Sequence, residues 1–183
     1  KAYLGVQVHN RAGLFEGRLE IVDLSAPASP ALLGAVTLTD GDGVAVAPAD
    51  VQVVDDRAYV LGYPGRVIVV VDVRDATAPR VLQVVSLPGI IADLAVPASM
   101  SVVGAHAFVA YPGGLAVLDV ADPGAIRSAA HLPLEDIASS RLSVTSGTLS
   151  GRPVVLVGDH DTVWLFDVGE QSAPRPIARY QAT

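Results

Sequence analysis

The sequence predicts an all-β protein, a β-propeller built of four repeated four-stranded antiparallel blades of about 48 residues. Three observations lead there. A short apolar, β-branched run closed by one aspartate occurs four times, around Leu19-Glu20-Ile21-Val22-Asp23, Val67-Ile68-Val69-Val70-Val71-Asp72, Leu115-Ala116-Val117-Leu118-Asp119 and Val163-Trp164-Leu165-Phe166-Asp167. Its aspartates lie 49, 47 and 48 residues apart, the mark of one supersecondary unit used repeatedly. No helical period appears anywhere, whereas short strands and turn residues alternate throughout.

Each unit can be followed from its second strand. Residues 2–6, 58–62, 107–111 and 153–157 match one another and are rich in β-branched and aromatic side chains. The turns that follow are Tyr63-Pro64-Gly65-Arg66, Tyr111-Pro112-Gly113-Gly114 and Gly158-Asp159-His160-Asp161-Thr162. Pro-Gly favours such turns because proline presets φ and glycine accepts positive φ. In the first copy, residues 9–17 read as an insertion in this turn. The aspartate strand comes next; Val67 to Val71, apolar on both faces, suits a strand covered from both sides.

A proline-bearing loop then leads to a fourth strand, expected at 32–38, 81–87, 126–132 and 177–181. A further strand opens the next unit, expected at 49–54, 92–96 and 141–145, with turns at Asp55-Asp56 and Ser146-Gly147. The units run over residues 1–38, 39–87, 88–134 and 135–183 of one propeller domain. The first begins at its second strand, so the expectation is an incomplete ring, part of a larger propeller or of an assembly that covers the open edges; a closed four-bladed monomer is the alternative. The start at Lys1, without Met or a signal-peptide profile, suits a processed or excised piece.

Composition excludes several classes. Hydrophobic residues make up 51% and charged residues 17%, too apolar for a disordered chain. The net charge of −7, with scattered cations, does not suit a nucleic-acid binder. With no cysteine, disulfides, thiolate metal sites and c-type haem are ruled out. Residues 94–118 hold no Asp, Glu, Lys or Arg, but Pro97, Pro112 and Gly113-Gly114 break them into strand-length pieces rather than a membrane span. The Ala, Val, Gly and Arg bias points to a GC-rich bacterial genome.

Few residues suggest chemistry. Recurrence in every unit gives Asp23, Asp72, Asp119 and Asp167 an architectural reading, a carboxylate accepting N–H bonds from the following loop. Asp40 and Asp42 in Thr39-Asp40-Gly41-Asp42-Gly43, with Asp50 if the loop folds back, are the candidate calcium ligands. The plainer reading is a polar surface loop, since Val44, Ala45 and Val46 stand where further ligands would be needed. Asp159, His160 and Asp161 likewise read as a solvated turn before a metal site. Leu14 and Phe15, in the insertion, are the candidate partner-binding anchor. No nucleophile elbow, dinucleotide fingerprint or phosphate loop is present.

The stretches LEIVDLSAPASP, VIVVVDVRDATAP, LAVLDVADPGA and VWLFDVGEQSAP resemble the LVIVD repeat, a bacterial β-propeller repeat, with blade logic similar to YVTN-type propellers. The Gly-His…Trp-Asp signature of WD repeats is absent. The resemblance implies a propeller often appended to other domains in secreted or surface proteins, and no catalytic residues. The expected function is a non-enzymatic scaffold or interaction module, extracellular or at the cell surface, that meets a protein partner, an adjacent domain or further copies through its blade loops. It needs no cofactor beyond the candidate calcium. The alternative is a calcium-dependent hydrolase or lactonase working at the channel mouth.

Overall fold

The computed structural model describes residues 1–9, 15–63, 66–87, 99–134 and 142–182. They form strands and turns without a helix, in two compact units, Lys1–Leu87 and Pro88–Thr183. The first unit holds β1 (Ala2–His9), β2 (Phe15–Asp23), β3 (Ala31–Leu38), β4 (Ala47–Val54), β5 (Arg57–Tyr63), β6 (Val67–Asp72) and β7 (Arg80–Ser86). The second holds β8 (Ser99–Val103), β9 (His106–Tyr111), β10 (Gly114–Asp119), β11 (Arg127–Pro133), β12 (Ser143–Leu149), β13 (Arg152–Gly158), β14 (Thr162–Asp167) and β15 (Arg175–Gln181).

Every strand pairs antiparallel with its sequence neighbour, giving a three-stranded sheet β1-β2-β3 and the four-stranded sheets β4-β5-β6-β7, β8-β9-β10-β11 and β12-β13-β14-β15. Repeated antiparallel meanders of this kind are the blades of a propeller-type fold. Short turns of restricted geometry set the register. Asp55 (φ 52°) and Gly104 (φ 55°) supply the left-handed residue between β4 and β5 and between β8 and β9. Ser150 (φ 51°) and Gly151 (φ 79°) do so between β12 and β13.

Within each unit two sheets bury their faces against each other. In the first, Leu19, Ile21 and Leu38 meet Val60, Val69 and Val71. In the second, Phe108, Leu115 and Val117 meet Val155, Trp164 and Phe166. All six residues of β6 are buried, while β15 is exposed along its whole length. Arg179 on β15 lies over the Trp164 ring, 5.5 Å from its centroid.

Three expectations need correction. Ser146 and Gly147 make no turn; they pair with Val155 and Val154 inside β12, and the reversal comes at Ser150-Gly151. Ser-Gly is a weak turn signal when flanked by β-branched residues that extend the ladder. The innermost strand of the third sheet lies at Ser99–Val103, directly before the Gly104 turn; the expected strand at 92–96 falls outside the described residues. The ends of the supposed insertion are not loop, because His9 pairs with Phe15 and Gln7 with Gly17.

Candidate functional site

The polar side chains singled out by the sequence sit at corners and hairpin ends. Asp23, Asp72, Asp119 and Asp167 each end the third strand of their repeat. In every case one carboxylate oxygen accepts the N–H two residues on: Ser25 at 2.9 Å, Arg74 at 3.1 Å, Ala121 at 3.0 Å and Gly169 at 2.8 Å. A reverse turn follows at the same offset, with the N–H groups of Ser29, Ala78, Ala125 and Ala173 donating to the carbonyls of Ala26, Asp75, Asp122 and Glu170. Just before each aspartate the ladder to the fourth strand slips by one residue, at Ile21/Val22, Val70/Val71, Val117/Leu118 and Leu165/Phe166. Such bulges bend and twist a strand locally. The four corners are therefore one structure made four times.

Around that frame the charges differ. Asp72 is almost fully buried and takes Arg74 at 2.6 Å and Arg80 at 3.2 Å. Arg80 is its direct cross-strand partner, and Arg127 and Arg175 occupy the same register position opposite Asp119 and Asp167. Arg127 reaches Asp119 at 3.9 Å, whereas Asp167 is met by Arg152 at 3.2 Å and Arg175 turns to Glu170. These arginines were missed in the sequence, although an Arg eight residues after three of the four aspartates was a readable signal. A shallow cleft of about 270 Å³ beside this pair is lined by Asp72, Arg74, Asp75, Ala78 and Arg80.

The candidate calcium loop closes on itself. Asp40 Oδ1 accepts the N–H groups of Asp42 (3.0 Å) and Val44 (2.8 Å), and the Asp40 N–H donates to the Val44 carbonyl. Asp42 is exposed, and Asp50 lies within β4, just after the register shift between Pro48 and Asp50, where its carboxylate accepts the Val51 N–H. Asp159 accepts the His160 N–H, and Asp161 accepts the Thr162 hydroxyl. Among the described residues no group of three or more His, Asp or Glu side chains converges as a metal site.

The β1–β2 hairpin departs from the repeat. Counting back from the aspartate, β2 begins eight residues earlier at Phe15, whereas β6, β10 and β14 begin five, five and five residues earlier. Its paired arms reach His9 and Phe15, whose rings meet edge-on at 6.4 Å; Leu14 lies outside the described residues. Arg18 donates twice to Glu16 (2.9 and 3.0 Å), and Thr37 donates to the same carboxylate at 2.8 Å. In β2, Arg18 and Glu20 fall where β6 has the buried Val67 and Val69. One face of the first sheet thus carries charge where the second sheet is apolar.

The comparisons agree with this picture. The model of the LVIVD repeat family matches residues 13–38 and 98–127, each spanning an aspartate corner. The chain thus matches the LVIVD repeat at two of its four aspartate corners. A crystal structure of a protein from Lactobacillus plantarum is similar with a TM-score of 0.65 at 15% identity, over 91% of this chain and 54% of that one. A functionally unknown protein from Desulfotomaculum acetoxidans gives a TM-score of 0.50 at 12% identity, over 90% and 65%. The chain therefore spans about half to two thirds of these structures, and the likeness concerns fold alone. No curated protein matches the sequence significantly. Among the described residues no helix is long and apolar enough to cross a membrane.

The aspartate corners should be acid-sensitive. Hydrogen bonds from the Arg74 side chain and N–H hold the Asp72 carboxyl well below the usual carboxylate range, against the opposing effect of burial. The Ser25 N–H and hydroxyl lower Asp23, and the Gly169 N–H with Arg152 lowers Asp167. A carboxylate depressed in the folded state adds stability above its unfolded value and loses it as pH falls toward the folded one. Urea midpoints should therefore fall as pH drops below about 4, the ordinary carboxylate value. Asp72→Asn should flatten that fall and lower the neutral-pH midpoint more than Asp119→Asn does. An unchanged acid slope in Asp72→Asn would count against the corner as its source.

Proposed function

We propose that the chain is a non-enzymatic propeller scaffold of a bacterial secreted or cell-surface protein, binding a protein partner or a neighbouring domain through its blade loops. The observation that carries this is the lengthened β1–β2 hairpin. It is the one that breaks the repeat, its arms are paired to the His9–Phe15 end, and its base is fixed by Glu16, Arg18 and Thr37. Recognition commonly sits on such loops held by a stiff sheet. Phe15 supplies a half-buried aromatic side chain of the type that anchors interfaces.

The rival, a calcium-dependent hydrolase using Asp40 and Asp42, is less favoured because Asp40 is already engaged in holding its own loop. A photoreactive residue in place of Phe15 should capture one discrete partner in the source bacterium, while the same residue at Glu170 should not. Added calcium should raise no ester or lactone turnover. Calcium-dependent hydrolysis that disappears in Asp42→Ala would overturn the scaffold reading.

A further inference from the structure

Two Asp-Gly pairs occur in the sequence, Asp40-Gly41 and Asp42-Gly43, side by side in the loop that joins β3 to β4. In an Asp-Gly pair the side-chain carboxyl is open to attack by the next backbone nitrogen, because glycine has no Cβ to shield that nitrogen or restrict the chain around it. Composition does not separate the two pairs. Their surroundings do.

The Asp40 carboxyl is held. Its Oδ1 accepts the N–H groups of Asp42 at 3.0 Å and Val44 at 2.8 Å, and the Asp40 N–H donates to the Val44 carbonyl at 2.9 Å. A bridge between Thr39 and Ala45 closes the base of the loop. Turning the Asp40 carboxyl onto the Gly41 nitrogen would strip both of its bonds. Asp42 is the opposite case. It is exposed, and among the described residues its carboxyl has no hydrogen bond or ion pair.

The nitrogen that Asp42 would meet is also loosely held. The Gly43 N–H makes one long bond, 3.2 Å to the Asp40 carbonyl, at the outer limit for such a pair. Gly43 sits at φ 80° with open space around it. Gly41 has the same open space, so the state of the carboxyl distinguishes the two pairs.

We propose that Asp42-Gly43 is a self-modification site, at which Asp42 converts through a succinimide to isoaspartate while Asp40 is spared in the folded chain. Starting from the neutral carboxyl, the Gly43 nitrogen attacks Asp42 Cγ, its proton passes to solvent, and the carboxyl hydroxyl leaves as water. Water then adds to the former Asp42 main-chain carbonyl and breaks its bond to the Gly43 nitrogen. The chain now runs through Cγ, one methylene longer, with a free α-carboxylate beside it. One water leaves and one returns, so the product is an isomer and needs no cofactor. The added methylene falls inside the ring of bonds between Asp40 and Val44, so conversion should open the loop. The new α-carboxylate is the group that an isoaspartate carboxyl methyltransferase esterifies, which names the class of enzyme able to act here. None of this rests on the scaffold reading.

The test incubates the whole chain in oxygen-18 water near neutral pH and locates the label by fragmenting its peptides. Succinimide hydrolysis leaves one heavy oxygen on the residue that reacted. Label at Asp42 should exceed label at Asp40 at least tenfold in the folded chain and approach parity in urea, where the Asp40 bonds are gone. Methyl transfer by an isoaspartate-specific methyltransferase should rise with the label. Asp42→Glu, whose longer side chain closes a ring far more slowly, should remove both signals. In the converted fraction the Asp40 and Val44 amides should exchange several-fold faster. Equal labelling of the two aspartates in the folded chain, label confined to Asp40, or a folded ratio unchanged in urea overturns the proposal. So does a folded chain in which neither reacts while the unfolded chain reacts at both. The photocapture at position 15 tests the hairpin through a different residue, so the two readings can fail separately.

Discussion

Phe108→Ala is expected to destabilise the second unit by about 3–5 kcal/mol, the range for removing a buried aromatic ring. Phe108 lies at the middle of β9, between Ser101 on β8 and Val117 on β10, and is fully buried. Its ring belongs to the cluster that joins the two sheets of that unit through Val155, Trp164 and Phe166. Surrounding backbone is tied into ladders on both sides, so the site has little freedom to collapse onto the cavity. A domain typically holds only about 5–15 kcal/mol in total, so much of the unit's stability is at stake. Phe108→Leu keeps most of the volume and should cost far less. Urea unfolding read by tryptophan emission checks this; a midpoint for the alanine variant equal to that of the parent would show that the ring is not sealed in the core.

Gly17→Ala should be the most damaging of the small substitutions. A Cβ at position 17 would lie 1.7 Å from the Val46 carbonyl oxygen and 2.8 Å from its carbon. The obstacle is backbone rather than a side chain that could swing away, and it is fixed by the Val46 N–H bond to the Leu38 carbonyl. Either β2 must move or the approach to β4 must open, in the middle of the contact between the two sheets of the first unit. The cost should reach about 3 kcal/mol, the upper end of overpacking penalties. Gly147→Ala supplies the contrast. Its added Cβ meets nothing within 4 Å, and β12 should gain about 0.5 kcal/mol from the lost flexibility of the unfolded chain. Equal midpoints for the two variants would contradict the close approach at Gly17.

What the sequence revealed and what it hid follow from the range of the interactions. The strand type around Asp23, Asp72, Asp119 and Asp167 is set by local β-branched residues, so a fixed spacing of aspartates was enough to see a propeller. The bulge before each aspartate was not legible, because it depends on pairing with a strand ten or more residues away. Arg80 looked like one more scattered cation; only the ladder puts it opposite Asp72. Ser146-Gly147 misled because composition alone does not show whether a small polar pair bends the chain or continues a ladder. At Asp40 the residue types alone also allowed a cation beside the plainer surface loop; the bonds from the Asp42 and Val44 N–H groups that close the loop depend on its backbone conformation, which composition does not give.

The position of Trp164 has a use in the laboratory. It is the sole tryptophan of the chain, and it sits almost fully buried in the core of the second unit. Its emission is therefore a built-in optical reporter for residues 88–183, while the first unit is silent at that wavelength. Far-ultraviolet circular dichroism counts strands of both units. Superimposing the two melting curves of the unmodified protein thus distinguishes one cooperative transition from two, with no label attached.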